Sequence, residues 1–143
     1  MDELREMIEI EYEKLEQVLK GLPAAEKLPF ISELELAGVA TYLHNFYNGM
    51  ENILKRIFKS NKIPLPSGAS WHTDLLNQSV LSSIISEQLK DSLSDFLGFR
   101  HFFSHAYAID LNTEKLEELV SKVDITFKQL KSEIDHYTKD INR

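Results

Sequence analysis

The sequence contains no cysteine, which excludes a disulfide framework and a zinc site built on thiolates. This absence also fits a reducing compartment. No uninterrupted apolar run approaches the ~20 residues that a membrane-spanning helix needs. The first residues are acidic and amphipathic rather than basic and then apolar, so no signal peptide is expected. These absences favour a protein of the cytosol.

Several patterns of catalytic chemistry are missing as well. None of the 5 glycines belongs to a Gly-rich loop of the kind that cradles nucleotide phosphates. The chain has no Ser-His-Asp ordering typical of serine hydrolases and no pair of carboxylates placed for glycoside chemistry. No segment alternates apolar and polar residues for long enough to form a strand, and no repeat is present.

Basic residues are outnumbered, because 16 Lys and Arg face 23 Asp and Glu, for a formal charge of −7. This balance argues against a general nucleic-acid binder, which needs a basic face. The charge is uneven, however. Residues 36–63 carry four basic side chains and one acidic one. The basic residues are Lys55, Arg56, Lys59 and Lys62, and the acidic residue is Glu51. This stretch is either a local phosphate-binding surface or a solvated helix end, where cations suit the helix dipole.

Apolar residues recur at helical spacing in four segments, which predict four amphipathic helices. The segments cover residues 1–20, 29–60, 82–103 and about 113–137, with Asn112 or Thr113 as the cap of the last. Residues 61–70, which contain Pro64 and Pro66, read as a surface loop, and a short helix over residues 71–78 follows with Ser70 as its N-cap. We therefore expect an all-α fold: one domain over residues 1–143, an antiparallel bundle of four main helices plus a short extra helix.

The periodicity also predicts which side chains form the core of this bundle. The positions expected to be largely buried are Leu93, Phe96, Phe103, Phe127 and Leu130. Trp71 stands beside the proline-rich loop, where an aromatic side chain more often anchors a loop than stacks on a nucleic-acid base.

Arg100 falls in the middle of the apolar stripe of the third helix. That stripe consists of Leu89, Leu93, Phe96 and Phe103. A guanidinium group cannot be deprotonated to ease its burial, and leaving it unpaired among apolar side chains would cost several kcal/mol. We therefore expect an anion beside Arg100, which is either an acidic side chain of the bundle or the phosphate of a ligand.

His105 follows Arg100 by five positions, which are about 140° apart around a straight helix. Either the helix breaks between the two residues, or they act together across two chains. The polar residues that follow are compatible with a break. Beyond a break, His105 and Tyr107 lie on the same side of an extended segment, so that Arg100, His105 and Tyr107 line one cleft.

Two histidines four positions apart, His101 and His105, have the spacing with which one helical face can hold a transition metal. A third ligand would have to come from His44 or His72. We favour a site without metal, because the chain supplies no obvious third ligand in sequence. Without further information, His105 could also be a helix cap or a core histidine.

The run GFR, four residues and HAYAID at residues 98–110 resembles the signature of HepT-like toxins of the HEPN superfamily. Residues 47–57, with the sequence YNGMENILKRI, resemble the long second helix of the same branch. The residue after the arginine is commonly a small polar Asn or Asp in that family, whereas this chain has His101.

The resemblance implies a metal-independent endoribonuclease that needs no cofactor and serves as the toxin of a type VII-like toxin–antitoxin system. Its substrate would be messenger or transfer RNA, and it would pair its motifs across the two-fold axis of a homodimer. Arg100 and His105 would be catalytic, with His101 and Ser104 in supporting positions. Tyr107 would accept AMP groups from an MNT-type nucleotidyltransferase antitoxin.

The residue types suit this chemistry, because RNA is cleaved without metal when the ribose 2′-hydroxyl attacks the adjacent phosphate. Histidine titrates near neutral pH and can carry the protons, while arginine binds and stabilises the phosphate. A helical adaptor without catalysis, or a nucleotide-binding HEPN module in which Arg100 only holds a phosphate, remain alternatives. Tyr107 would then be a packed aromatic residue.

Overall fold

The computed structural model of the chain describes residues 2–105 and 110–141, and describes Asp2, Ser104, His105 and Ile141 by their backbone only. Its helices, in chain order, are α1 (Asp2–Gly21), a 3₁₀ helix (Ala25–Phe30), α2 (Glu33–Ser60), α3 (Trp71–Leu81), α4 (Glu87–His105) and α5 (Thr113–Ile141). No strand occurs in the described ranges, so the predicted all-α class is confirmed.

The four long helices α1, α2, α4 and α5 form an up-down-up-down bundle. Met7 near the start of α1 contacts Arg56 near the end of α2, whereas Gly21 at the end of α1 lies against Tyr42, so α1 and α2 are antiparallel. His44 of α2 contacts Phe103, whereas Asn48 further along α2 contacts Arg100 earlier on α4, so this pair is antiparallel too. Ser86 before α4 contacts Glu133, whereas Asp95 contacts Lys122 earlier on α5, which makes the third pair antiparallel. The short helix α3 packs on α4, and the 3₁₀ helix packs on α5.

The centre of the bundle is a cluster of aromatic rings from different helices. The ring of Phe46 in α2 makes edge contacts with Phe96 of α4 at 5.3 Å and with Phe127 of α5 at 6.4 Å. Tyr12 of α1 closes the cluster on the other side of Phe127, at 6.0 Å. Such edge-to-face pairs contribute about 0.5–1.5 kcal/mol each beyond the area that they bury.

Four of the five predicted core positions are buried, namely Leu93, Phe96, Phe127 and Leu130. Phe103 is the exception, since it is only half-buried at the edge of the core. Phe99, one turn earlier on α4, is the buried residue at this end of the helix. At this end of α4 the Phe103 ring packs on the imidazole of His44, which is itself only partly buried.

Helix α4 begins at Glu87, later than the expected start at residue 82. The backbone reverses at Ser83, whose φ is +61°, and the Ile84 N–H donates to the Ser79 carbonyl at 2.9 Å, which closes α3 instead of continuing a helix. Ser86 then caps α4, because its hydroxyl accepts from the Leu89 N–H at 3.0 Å.

Local capping fixes the other helix ends. Helix α2 begins at Glu33 rather than near residue 29, because Ser32 and Glu35 form a reciprocal capping box. Asn112 caps α5 as expected, with its side-chain oxygen accepting from the Lys115 N–H at 3.1 Å. Ser70 occupies the N-cap position of α3, but its hydroxyl bonds to the Asp74 carboxylate rather than to the backbone.

None of the described helices combines the length and the apolar composition that a bilayer crossing would require.

Candidate functional site

Arg100 lies on the side of α4 that faces α2, where it is partly buried. Its Nε donates a hydrogen bond of 2.9 Å to Oδ1 of Asn48, a residue in the middle of α2. The amide is neutral, so this bond orients the guanidinium without neutralising its charge. Asn48 thus orients this side chain, and the anion that the sequence predicted beside it stays a prediction.

His44 lies one helical turn before Asn48 on α2 and belongs to the same site. Its ring packs on Phe103 with the centroids 5.6 Å apart. The Nδ1 atom is buried and has no hydrogen-bond partner among the described residues. Burial, together with the positive charge of Arg100, holds the pKa of His44 below its ordinary value.

Tyr47 and Glu51 continue the polar contacts of α2 toward its C-terminal half. Burial and the adjacent carboxylate of Glu51 raise the pKa of the Tyr47 hydroxyl, and the charge of Arg100 opposes this effect. The hydroxyl is buried and finds no well-aligned hydrogen-bond partner within the described residues. Tyr47 therefore stays protonated and lies in the field of both Arg100 and Glu51.

Glu51 is buried, with 3% of its side chain exposed, and it connects α2 to α3. Its carboxylate lies 2.5 Å from Nδ1 of His72, the second residue of α3. The ring of Trp71 stacks on His72 at 3.6 Å, and the ammonium group of Lys55 lies 4.3 Å above the Trp71 ring. Trp71 therefore anchors α3 after the proline-rich loop, which agrees with the expected packing role.

The polar residues of α2 share one face of the helix, at positions 44, 48, 51 and 55. Steps of four and three residues are the spacing of a single helical stripe. The apolar stripe of this helix was the basis of its prediction, so Asn48 and Glu51 were not recognised as the partners of Arg100 and His72. A polar stripe of the same period, next to a buried one, was the signal that would have found them.

Of the two alternatives for Arg100 and His105, the break between them is not observed. Helix α4 continues through both residues, so the two positions remain about 140° apart around its axis. Ser104 and His105 form its last turn and are described by their backbone only. His101 is exposed on the same helix. Tyr107, the predicted modification site, lies outside the described residues.

Ion pairs engage part of the basic stretch in residues 36–63. Arg56 lies 3.6 Å from the buried carboxylate of Glu11, and Lys55 lies 4.0 Å from Glu51. Two of its four cations thus have a carboxylate beside them. Across the described side chains, no three histidines or acidic residues gather into a group that could hold a metal ion.

Comparison with known proteins places these residues in a family. A family model described as "HepT-like protein" matches residues 38–141, which include Asn48, Arg100 and His105. No curated protein and no solved structure matches the chain. The matched segment is most of the chain and contains both stretches that carry the resemblance, so the chain belongs to the HepT-like family, a group of HEPN toxin-type proteins.

Proposed function

We propose that the chain is the toxin of a type VII-like toxin–antitoxin system and that it cleaves RNA without a metal ion. The observation that carries this proposal is the placement of Arg100. Arg100 lies on a helix face that is otherwise apolar, where Asn48 orients it, and the sequence around it resembles the family signature. A guanidinium held in this way suits the bidentate recognition of a phosphate.

In the proposed reaction the ribose 2′-hydroxyl attacks the adjacent phosphorus, and the 5′-oxygen leaves. Arg100 binds the phosphate and stabilises the negative charge that grows on it. His105 transfers a proton to or from the reacting oxygens, with His101 and Ser104 as supporting residues of the same helix end. The products are a 2′,3′-cyclic phosphate and a 5′-hydroxyl.

The proposed activity is tested by incubating the purified chain with single-stranded messenger or transfer RNA in excess EDTA. We expect cleavage to persist, because no step of the reaction uses a metal, and the 3′ ends should carry a cyclic phosphate. Mass spectrometry of the fragments identifies that end. Cleavage that required added divalent ions would contradict the mechanism. Nucleotide binding without any cleavage would favour the non-catalytic HEPN module instead.

The working unit that we propose is a homodimer whose two protomers contribute to one cleft. The support for this comes from α4, because positions 100 and 105 point about 140° apart on one continuous helix. In such a dimer, the two-fold axis would bring Arg100 of one protomer to His105 of the other, so the two side chains would meet although they point apart on one helix.

The regulation that we propose acts on Tyr107, as in the family that the chain belongs to. A partner nucleotidyltransferase of the MNT type, with ATP and Mg²⁺, would attach AMP to the tyrosine hydroxyl. Each AMP brings a phosphate with a negative charge to within two residues of His105. That phosphate would compete with RNA for Arg100 and silence the nuclease without unfolding it.

Tyr107→Phe should resist this modification, because the change keeps the aromatic ring and removes only the acceptor oxygen. Intact mass spectrometry after incubation with the partner, ATP and Mg²⁺ measures the number of AMP groups. Tyr42→Phe is the matched control, since Tyr42 is an exposed tyrosine on α2, and it should be modified like the wild type. AMP increments that persist in Tyr107→Phe would identify another acceptor and refute this part of the proposal.

A further inference from the structure

We propose that His44 is a catalytic residue of the Arg100 cleft and acts as the general base that takes the proton of the ribose 2′-hydroxyl. This inference rests on the proposed ribonuclease activity. It adds a residue from α2 to a reaction whose signature, an arginine and a histidine five positions apart, lies entirely on α4.

Two contacts place His44 beside Arg100. Asn48, one turn further along α2, accepts a hydrogen bond of 2.9 Å from Nε of Arg100. Phe103, three residues after Arg100 on α4, packs against the His44 ring at 5.6 Å. The imidazole therefore sits against the same turn of α4 that carries the guanidinium, on the side from which Asn48 holds it.

Because α4 is continuous, position 105 of the same protomer does not lie beside Arg100, and a general base next to this arginine remains to be assigned. The reaction needs a base for the 2′-hydroxyl and an acid for the 5′-oxygen. Position 105 is about 140° away from position 100 on the unbroken helix, whereas His44 faces Arg100 from the neighbouring helix. Within one protomer, His44 is thus a described imidazole that packs on the same stretch of α4 as this arginine.

The two nitrogens of the His44 ring have different surroundings. Nδ1 is buried and has no hydrogen-bond partner among the described residues, which calls for an explanation. Because Nδ1 is inaccessible, the nitrogen that takes the proton of the 2′-hydroxyl is Nε2. The ring as a whole is only partly buried, so an RNA in the cleft can reach it.

The electrostatics favour the form of His44 that a base requires. Burial first, and the charge of Arg100 second, lower the pKa of His44 below its ordinary value. The imidazole is therefore neutral at pH 7, and one of its nitrogens carries a free lone pair. A lowered pKa also means that this neutral form persists to lower pH than for an unperturbed histidine.

The step balances without a metal or any co-reactant. His44 takes the 2′-hydroxyl proton, the 2′-oxygen forms a bond to phosphorus, and the bond from phosphorus to the 5′-oxygen breaks. His105 gives a proton to the departing 5′-oxygen. Proton exchange with water then returns both histidines to their starting forms.

His44→Gln tests the role, with a short fluorophore-labelled single-stranded RNA of mixed sequence as the probe. We expect kcat/KM to fall by about 10²–10⁴-fold, and the acidic limb of the pH–rate profile, which reports the base, to disappear. His136→Gln is the matched control, because that histidine is exposed on α5, and it should keep both the rate and the profile.

A second substrate distinguishes the residue that acts as the general base from the residue that acts as the general acid. In the same RNA with sulfur in place of the bridging 5′-oxygen, the leaving group departs without a proton. His105→Ala should then recover most of its lost rate, whereas His44→Gln should stay slow. Recovery by both variants would overturn the assignment of His44 as the base.

Chemical rescue guards against a purely structural effect. Added imidazole should restore part of the activity of His44→Ala, and a folded His44→Ala variant that imidazole does not restore would count against the proposal.

If the wild type cleaves RNA while His44→Gln keeps its rate and its acidic limb, this inference alone fails. A wild type that cleaves no RNA refutes the proposed function and this inference together.

Discussion

Arg100→Ala should lower the rate of RNA cleavage by a factor of about 10²–10³, as the loss of one charge-stabilising donor does in other enzymes. The guanidinium is the group that would meet the charge growing on the phosphate, and Asn48 holds it in a fixed direction. The measurement is kcat/KM on a labelled RNA, together with the circular dichroism of the variant. A folded Arg100→Ala protein that cleaves at the wild-type rate would show that the arginine is structural.

Two further variants sharpen this result. Arg100→Lys keeps the charge but loses the fork of donors that matches a phosphate, so it should recover only part of the activity. Lys90→Ala removes another cation of α4, whose ammonium pairs with Glu87 at the surface. This matched control should cleave like the wild type, because Lys90 lies more than two helical turns from Arg100.

Mixing variants tests whether two protomers share one cleft. Arg100→Ala and His105→Ala are each expected to be inactive as homodimers. After unfolding and refolding together, they form mixed dimers in which one chain supplies the arginine and the other the histidine. Activity that returns on mixing would support the shared cleft. Sedimentation should show a particle of about twice the chain mass, and a monomer that cleaves RNA would exclude the dimer as the working unit.

Phe127→Ala should reduce the free energy of unfolding by about 3–5 kcal/mol, the usual cost of deleting a large buried ring. Phe127 is 5% exposed and lies between Tyr12 of α1 and Phe46 of α2, so its removal opens a cavity where three helices meet. Urea unfolding followed by circular dichroism gives the free energy directly.

Ile125→Ala is the control for this measurement, because Ile125 is also an apolar residue of α5 but 72% exposed. Its change should lie within about 0.5 kcal/mol of the wild type. A loss below about 1 kcal/mol for Phe127→Ala would mean that the aromatic cluster does not hold the bundle together.

The apolar periodicity was sufficient to predict the helices and most of the core, because each long helix buries one continuous stripe. Helix ends were less predictable, since they depend on hydrogen bonds that no periodicity contains. Ser86 caps α4 and is itself held by Glu133 of α5, a residue far away in the sequence. The start of α4 therefore depends on a contact that exists only in the folded bundle.

The site was predictable in its residue types but not in its partners. Arg100 was recognisable as a charge in an apolar stripe, and physical chemistry alone led to the prediction of an anion beside it. The neighbour is Asn48, which lies 52 residues earlier on another helix. Neither this amide partner nor the continuous helix followed from the sequence, because the apolar stripe of α4 says nothing about the helix that packs against it. The anion expected beside Arg100 stays a prediction.

Helix α1 determines where a recombinant fragment of this protein should begin. The family match starts at residue 38, inside α2, yet α1 contributes Leu4, Ile8, Tyr12 and Leu15 to the common core. The two helices approach so closely at Gly49 that any side chain there would place its first carbon 2.5 Å from Leu15 Cδ2. A recombinant fragment trimmed to the matched residues would lose the capping box of α2 and expose this tightly fitted surface to water. Such a fragment would aggregate on expression, so the boundary of the family match is the wrong place to cut.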